Sequence, residues 1–195
     1  MSLKHAILGF LSYRPMSGYD LKKAFDGSVQ HFWPADQSQI YRTLAQAAAE
    51  GLVERAADGD GPRDRHTYYL TDAGRAELRR WLTTPLPPTD DREPFLIQVF
   101  FAANLDREDA LAIIERQREM IRGQLAMFRQ VYEGAMAGRA RAPSPEAFFY
   151  SMLTLEYVLS LGPAYLRWLD LAADRIGRGD YTPAGLADLL SGGQL

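Results

Sequence analysis

Between positions 37 and 46 the chain reads Gln37-Ser38-Gln39-Ile40-Tyr41-Arg42-Thr43-Leu44-Ala45-Gln46. At 3.6 residues per turn, Gln37, Ser38, Tyr41, Arg42, Ala45 and Gln46 share one face, and Ile40, Leu44, Ala47 and Ala48 share the opposite one. The first face is rich in hydrogen-bonding groups and short side chains. Gln, Ser and Arg at such positions, with Gln39 beside them as a further DNA-binding candidate, can read base edges, and an α-helix fits the major groove of a duplex. Tyr41 can touch a thymine methyl or a phosphate. Arg63 and Arg65 flank a turn further on and suit backbone phosphates, as do Tyr19 and Lys22, with Lys23 beside it.

Other chemistries find little support. The chain has no cysteine, which excludes disulfides, thiolate metal sites and cysteine nucleophiles. His5, His31 and His66 are far apart, so zinc spacings are missing. Asp58, Asp60 and Asp64 mimic a calcium loop, but the twelfth position of that loop is Tyr69 where a glutamate is needed. No phosphate-binding glycine loop, nucleophile elbow or H-E-x-x-H occurs, and no enzyme or cofactor is expected. The formal charge is −3, too mild to demand or forbid a nucleic-acid partner.

The elements that would carry these side chains follow from periodicity. Leu3, Ile7, Leu8 and Leu11 predict a first helix ended by Pro15. Ser17 caps a second, with Leu21, Ala24 and Phe25 inward and Gly27 closing it. Asp36 opens the third, with Gln39 completing a capping box, and Gly51 ends it. Leu52–Ala56 and His66–Leu70 predict two strands around Asp58-Gly59-Asp60-Gly61-Pro62, a turn composition. Thr71 caps a fourth helix carrying Ala73, Ala76, Leu78 and Trp81. Three helices, a hairpin and a helix describe a winged helix-turn-helix. Phe32 and Trp33 precede the third helix and read either as a hydrophobic clamp on its entry or as a ligand or DNA contact. His66 is either a phosphate contact or a strand-surface residue.

Pro85-Leu86-Pro87-Pro88, followed by Thr89, Asp90 and Asp91, cannot continue a helix. The expected division is 1–84 as the DNA-binding domain, 85–94 as linker and 95–195 as a helical dimerisation and effector domain. Net charge agrees with a break, at +1 before residue 85 and −4 after it.

In the second half, Phe95–Ala103 predicts a helix, and Asp106 caps a long one running to Ala137. The long helix has a seam of Leu111, Ile114, Arg118, Ile121, Leu125, Phe128, Tyr132 and Ala135 at heptad spacing. Ser144-Pro145 opens the last helix. One of its stripes holds Met152, Leu155, Leu159, Gly162, Leu166, Leu169, Ala173 and Ile176. A second holds Phe149, Leu153, Tyr157, Ala164 and Trp168. A helix apolar on two sides needs two covers, and a second copy of the chain is the expected second cover. Leu111, Ile121, Leu125, Phe128, Met152, Leu155, Leu159, Leu166 and Leu169 are the expected dimerisation residues. Phe149, Tyr157, Tyr165 and Trp168 are candidates for an aromatic effector pocket. Glu156 is expected to pair with Arg118 or Arg122, and Pro163 to kink or split its helix near Gly162.

The sequence resembles the PadR-like transcriptional regulators. The resemblance rests on Ser17-Gly18-Tyr19-Asp20-Leu21, Phe32-Trp33-Pro34, Ser38-Gln39-Ile40-Tyr41, Glu50-Gly51-Leu52-Val53 and Tyr68-Tyr69-Leu70-Thr71-Asp72-Ala73-Gly74, in that order. It covers the first module fully and the helical remainder more loosely. Arg42 stands where the family often has proline, and Ala47 where leucine is usual. The resemblance implies dimerisation through the C-terminal helices and response to phenolic acids, drugs or other small aromatics.

The expected fold is mainly α with a small β component (α+β), a winged helix-turn-helix followed by an antiparallel helical hairpin that forms the dimer. The expected function is a homodimeric repressor of a two-fold-symmetric operator in double-stranded DNA, relieved by a small aromatic effector. The alternative is a winged-helix module that binds protein and leaves DNA alone. A cytoplasmic location is expected. The apolar run Ala6–Leu11 is too short for a signal sequence, and no stretch approaches the roughly 20 apolar residues of a membrane span.

Overall fold

The computed structural model describes residues 2–30, 32–57, 66–88 and 92–185. The chain divides into two compact units, Met1–Thr89 and Asp90–Leu195.

The first unit holds α1 (Ser2–Tyr13), β1 (Met16–Ser17), α2 (Gly18–Asp26), α3 (Gln37–Ala49), β2 (Val53–Ala57), β3 (His66–Leu70) and α4 (Asp72–Thr83). The strands pair antiparallel in the order β1-β3-β2, with Met16 opposite Tyr68 and Val53 opposite Leu70. Ile7, Leu8 and Leu11 of α1, Leu21 and Phe25 of α2, and Ile40, Leu44 and Ala47 of α3 meet Met16, Val53 and Tyr68 in one buried cluster. Each of these helices spends its apolar stripe on the core, which fixes its rotation about its own axis.

Helix α3 ends in a Schellman motif. Gly51 adopts φ +69°, its N–H donates to the Ala48 carbonyl, and the Leu52 N–H donates to Ala47. Leu52 is thereby spent on the helix cap, so β2 begins at Val53, one residue later than expected. The two-residue β1 is too short to leave a pattern in the sequence.

Strand β3 passes into α4 through Thr71. Its hydroxyl accepts from the Gly74 N–H at 3.0 Å and donates to the Gly51 carbonyl at 2.8 Å. At Gly74 a β-carbon would lie 2.1 Å from the Leu52 carbonyl oxygen. The glycine of Leu-Thr-x-x-Gly is therefore a contact between two backbones. On α4, Ala73 and Ala76 are exposed, while Glu77, Leu78 and Trp81 are partly buried. His5, buried on α1, stacks on Trp81 with ring centroids 4.6 Å apart and donates from Nε2 to Glu77 at 3.0 Å.

The second unit holds α5 (Pro94–Phe100), a short 3₁₀ turn at Ala102–Asn104, α6 (Arg107–Ala137), another at Arg139–Arg141, and α7 (Pro145–Arg178). Asp106 caps α6 and Ser144 caps α7, with Pro145 in the first turn. Helices α6 and α7 pack antiparallel. Ile114 meets Leu169 and Ala173 near one end, and Phe128 meets Met152 and Leu155 near the other.

Two expectations change here, those for Glu156 and Pro163. Leu111, Ile121, Leu125, Phe128, Met152, Leu155, Leu159, Leu166 and Leu169, the expected dimerisation residues, are buried or partly buried between α6 and α7 of a single chain. The stripe it leaves uncovered includes Phe149, Leu153, Tyr157 and Trp168, all exposed. Glu156 is also exposed; Arg118 and Arg122 pair instead with Asp170, at 3.1 and 3.5 Å. The antiparallel register sets position 170, and not 156, beside these arginines. Pro163 lies within a continuous α7 and does not split it. A proline removes one helical donor, and the packed turns on either side carry the helix past it.

Candidate nucleic-acid interface

Helix α3 is held at its start by a reciprocal cap. The Gln39 N–H donates to Asp36 Oδ1 at 2.7 Å, and the Asp36 N–H donates to Gln39 Oε1 at 3.0 Å. Gln39 therefore has its carbonyl oxygen committed to the cap, which weakens its claim as a base reader. Past the cap, Ile40, Leu44 and Ala47 are completely buried. Gln37, Ser38, Tyr41, Arg42, Ala45 and Gln46 are all exposed. The expected reading face is thus one continuous outer surface. Ala47 is a full core member, and its short side chain lets α3 lie close to its neighbours.

Two further contacts shape that face. The Tyr41 ring rests on the backbone of Gly18 at the start of α2. At the other end of α3, Gln46 Nε2 donates to Glu50 at 2.8 Å, and Lys4 Nζ donates to the same carboxylate at 2.9 Å. The Lys4 ammonium first, and the Gln46 amide second, hold the Glu50 carboxyl below its ordinary range.

The surrounding candidates fare unequally. Tyr19 is exposed beside the α2 N-terminus. Lys22 already pairs with Asp26 one turn away, which lowers its pull on a phosphate, whereas Lys23 is exposed. Arg63 and Arg65, with the Asp58, Asp60 and Asp64 turn, lie outside the described residues. His66, just past them, is partly buried at the start of β3.

Phe32 and Trp33 do not form a buried clamp, since they are 50% and 40% exposed. Together with Pro34 and Leu3 they wall a groove of about 470 Å³ against Gln39, Arg42 and Thr43. Sequence spacing gave no sign of Leu3 here, because the approach of the α1 start to α3 is a tertiary contact.

In the helical unit, Tyr157 and Tyr165 line a smaller cavity of about 180 Å³ with Leu125, Phe128 and Gly162. Gln117 Nε2 donates to Tyr165 Oη at 2.9 Å. Trp168 stacks near Tyr165, with centroids 5.8 Å apart, and meets Phe95 edge-on. Phe149 is not part of this group; it pairs with Tyr150. Among the described residues no cluster suits a metal ion, and no helix is long and apolar enough to cross a membrane.

The profile described as "Transcriptional regulator PadR-like family" matches residues 7–80, and "Virulence activator alpha C-term" matches residues 92–176. The chain is 31% identical over 170 residues to the negative transcriptional regulator PadR of Bacillus subtilis, covering 86% of this chain and 93% of that protein. The crystal structure of Bacillus subtilis PadR in complex with operator DNA superposes with a TM-score of 0.78 at 30% identity, over 90% of this chain and 99% of that one. The structure of the same regulator in complex with p-coumaric acid gives 0.76 at 30% identity, over 90% and 95%. Together, the similarity along both units and the polar outer face of α3 identify this chain as a member of the PadR-like family of transcriptional regulators.

Proposed function

We propose that the chain is a cytoplasmic, homodimeric repressor that binds a two-fold-symmetric operator in double-stranded DNA and has no enzymatic activity. One observation carries this reading: α3 buries Ile40, Leu44 and Ala47 completely and turns Gln37, Ser38, Tyr41 and Arg42 outward. A helix fixed on one side with donors on the other suits the major groove. Residues 1–84 form the reading domain and 85–94 the linker, and 95–195 join two copies. Arg63 and Arg65 hold the duplex backbone, aided by Tyr19 and Lys23.

The second copy covers the exposed stripe of α7, including Leu153 and Tyr157. Doubling sets two α3 helices about 34 Å apart, one turn of B-form DNA. A small aromatic effector weakens binding by favouring a dimer whose reading helices are wrongly spaced. Membership of a family whose relatives include an operator complex favours this reading over a winged helix that binds only protein.

Selection of bound duplexes from a random pool tests the proposal. Inverted repeats with half-site centres about one helical turn apart are expected. Recovery of single half-sites, or no enrichment, would contradict it.

A further inference from the structure

We infer that Arg42 is a specificity-determining residue of α3 and reads a guanine on the floor of the major groove. The inference rests on the DNA-binding reading above and names one base that each operator half-site must hold.

The sequence of α3 singles this side chain out. Gln37–Ala49 carries one charged residue, Arg42. It stands two residues after Ile40 and two before Leu44, both completely buried. Two residues are about 200° of helical turn, so Arg42 projects from the side of α3 opposite the core. Along that line lie Ser38 one turn before, Ala45 one turn after and Ala49 two turns after, all short and all exposed. One long cationic side chain thus rises from a strip of small ones. A helix with its side chains is about 10–12 Å across and the major groove about 12 Å wide. Short side chains on the strip let the backbone sink into that groove and carry the guanidinium to its floor.

The other polar groups of α3 have other places. Tyr41 adjoins Ile40 at the border of the buried face, with its ring on Gly18 of α2. It faces the groove wall, where phosphates lie. Gln39 gives its side-chain oxygen to the Asp36 N–H, and Gln46 gives its amide to Glu50. No ion pair engages Arg42 among the described residues. The carboxylates flanking α3 are spent, Asp36 on the helix cap and Glu50 on Lys4. The guanidinium therefore keeps its fork of donors for a ligand.

The fork selects the base. Guanine presents two acceptors, O6 and N7, side by side in the major groove. Adenine replaces one of them with an amino donor, thymine offers one acceptor beside a methyl group, and cytosine offers a donor. Two parallel N–H groups match guanine best. A phosphate would also take the fork, but the phosphates flank the groove, whereas Arg42 lies on the midline of the face that enters it.

The test uses the full-length wild-type, Arg42→Gln and Arg42→Ala proteins. Each selects duplexes from a random pool. Wild type should enrich a motif with a guanine in each half-site that neither variant demands. Arg42→Gln should shift that position towards adenine, whose N6 and N7 suit an amide, and keep the other positions. On the selected duplex, 7-deazaguanine at that position deletes the N7 acceptor and leaves base pairing intact. It should weaken wild type by about ten-fold and leave Arg42→Ala unchanged. Melting temperatures should match wild type, since the side chain is exposed. A phosphate clamp gives a different pattern. Both variants would then keep the motif, weaken on all duplexes alike and show a salt slope shallower by about one. That pattern, or indifference of wild type to 7-deazaguanine, overturns the inference while the DNA reading stands. Should the variants bind too weakly for selection, 7-deazaguanine on wild type decides alone. If wild type enriches no duplex, the DNA reading fails and the inference with it.

Discussion

The ring of Tyr41 lies across the backbone of Gly18, so close that a β-carbon on the glycine would stand 2.5 Å from Tyr41 Cε1 and 2.7 Å from Cζ. The start of α2 thus seats an exposed side chain of the proposed reading face. Gly18→Ala must displace that ring, the movable end of a flexible side chain. Duplex affinity should fall by about ten-fold, an effect of about 1.4 kcal/mol. The melting temperature should shift by only a few degrees. Fluorescence anisotropy with a labelled operator, alongside thermal unfolding, checks both.

Gly74→Ala is the same chemical change with the opposite expected readout. Its methyl would meet the Leu52 carbonyl oxygen at 2.1 Å, and backbone cannot swing aside. Either α4 lifts from the end of α3 or the Thr71 cap breaks. A loss of about 2–3 kcal/mol in unfolding free energy is expected, the scale of overpacking a tight site. Urea denaturation of the two alanine variants side by side measures the contrast.

Glu77 links α4 to His5. The Arg80 guanidinium, then the His5 ring, hold its carboxyl down at about 2, from an ordinary 4.5. A carboxylate with a folded-state pKa below its unfolded one stabilises the fold above the unfolded value. That stability is lost as pH falls from about 4.5 through about 2. Glu77→Gln should therefore cost about 1–2 kcal/mol near neutrality. It should also flatten the acid limb of stability in that window. Chemical denaturation at several pH values checks the slope.

The division of the helical stripes predicts two different failures. Tyr157→Glu places a charge on the exposed side of α7 and should shift sedimentation towards a monomer with helix content intact. Leu166→Glu places one inside the hairpin, against the cluster of Ile114 and Leu169, and should melt α6 and α7 against each other. Circular dichroism with sedimentation velocity separates the outcomes. A dimer unaffected by Tyr157→Glu would remove that stripe from the interface.

Much of the fold was legible because caps are local. Ser17, Asp36, Thr71, Asp106 and Ser144 each accept from the backbone of the helix that follows, and residue type and spacing suffice to find them. Periodicity likewise placed the buried and exposed faces of α3. Which of two apolar stripes on α7 meets α6 was not legible, because both have helical spacing and only the register of the hairpin chooses between them. The partner of Arg118 was misread for the same reason. The stack of His5 on Trp81 and the groove beside Phe32 and Trp33 join residues far apart in sequence, so no local pattern announces them.

The central claim is that the outer face of α3, helped by the arginines between β2 and β3, docks on duplex DNA. Duplex affinity measured across a salt series tests it most directly. Each phosphate neutralised adds a slope of about −0.9 to log affinity against log salt. A steep negative slope is expected for the wild-type protein, shallower by about one in Arg65→Ala. A flat response, or no duplex binding at low salt, would contradict the account.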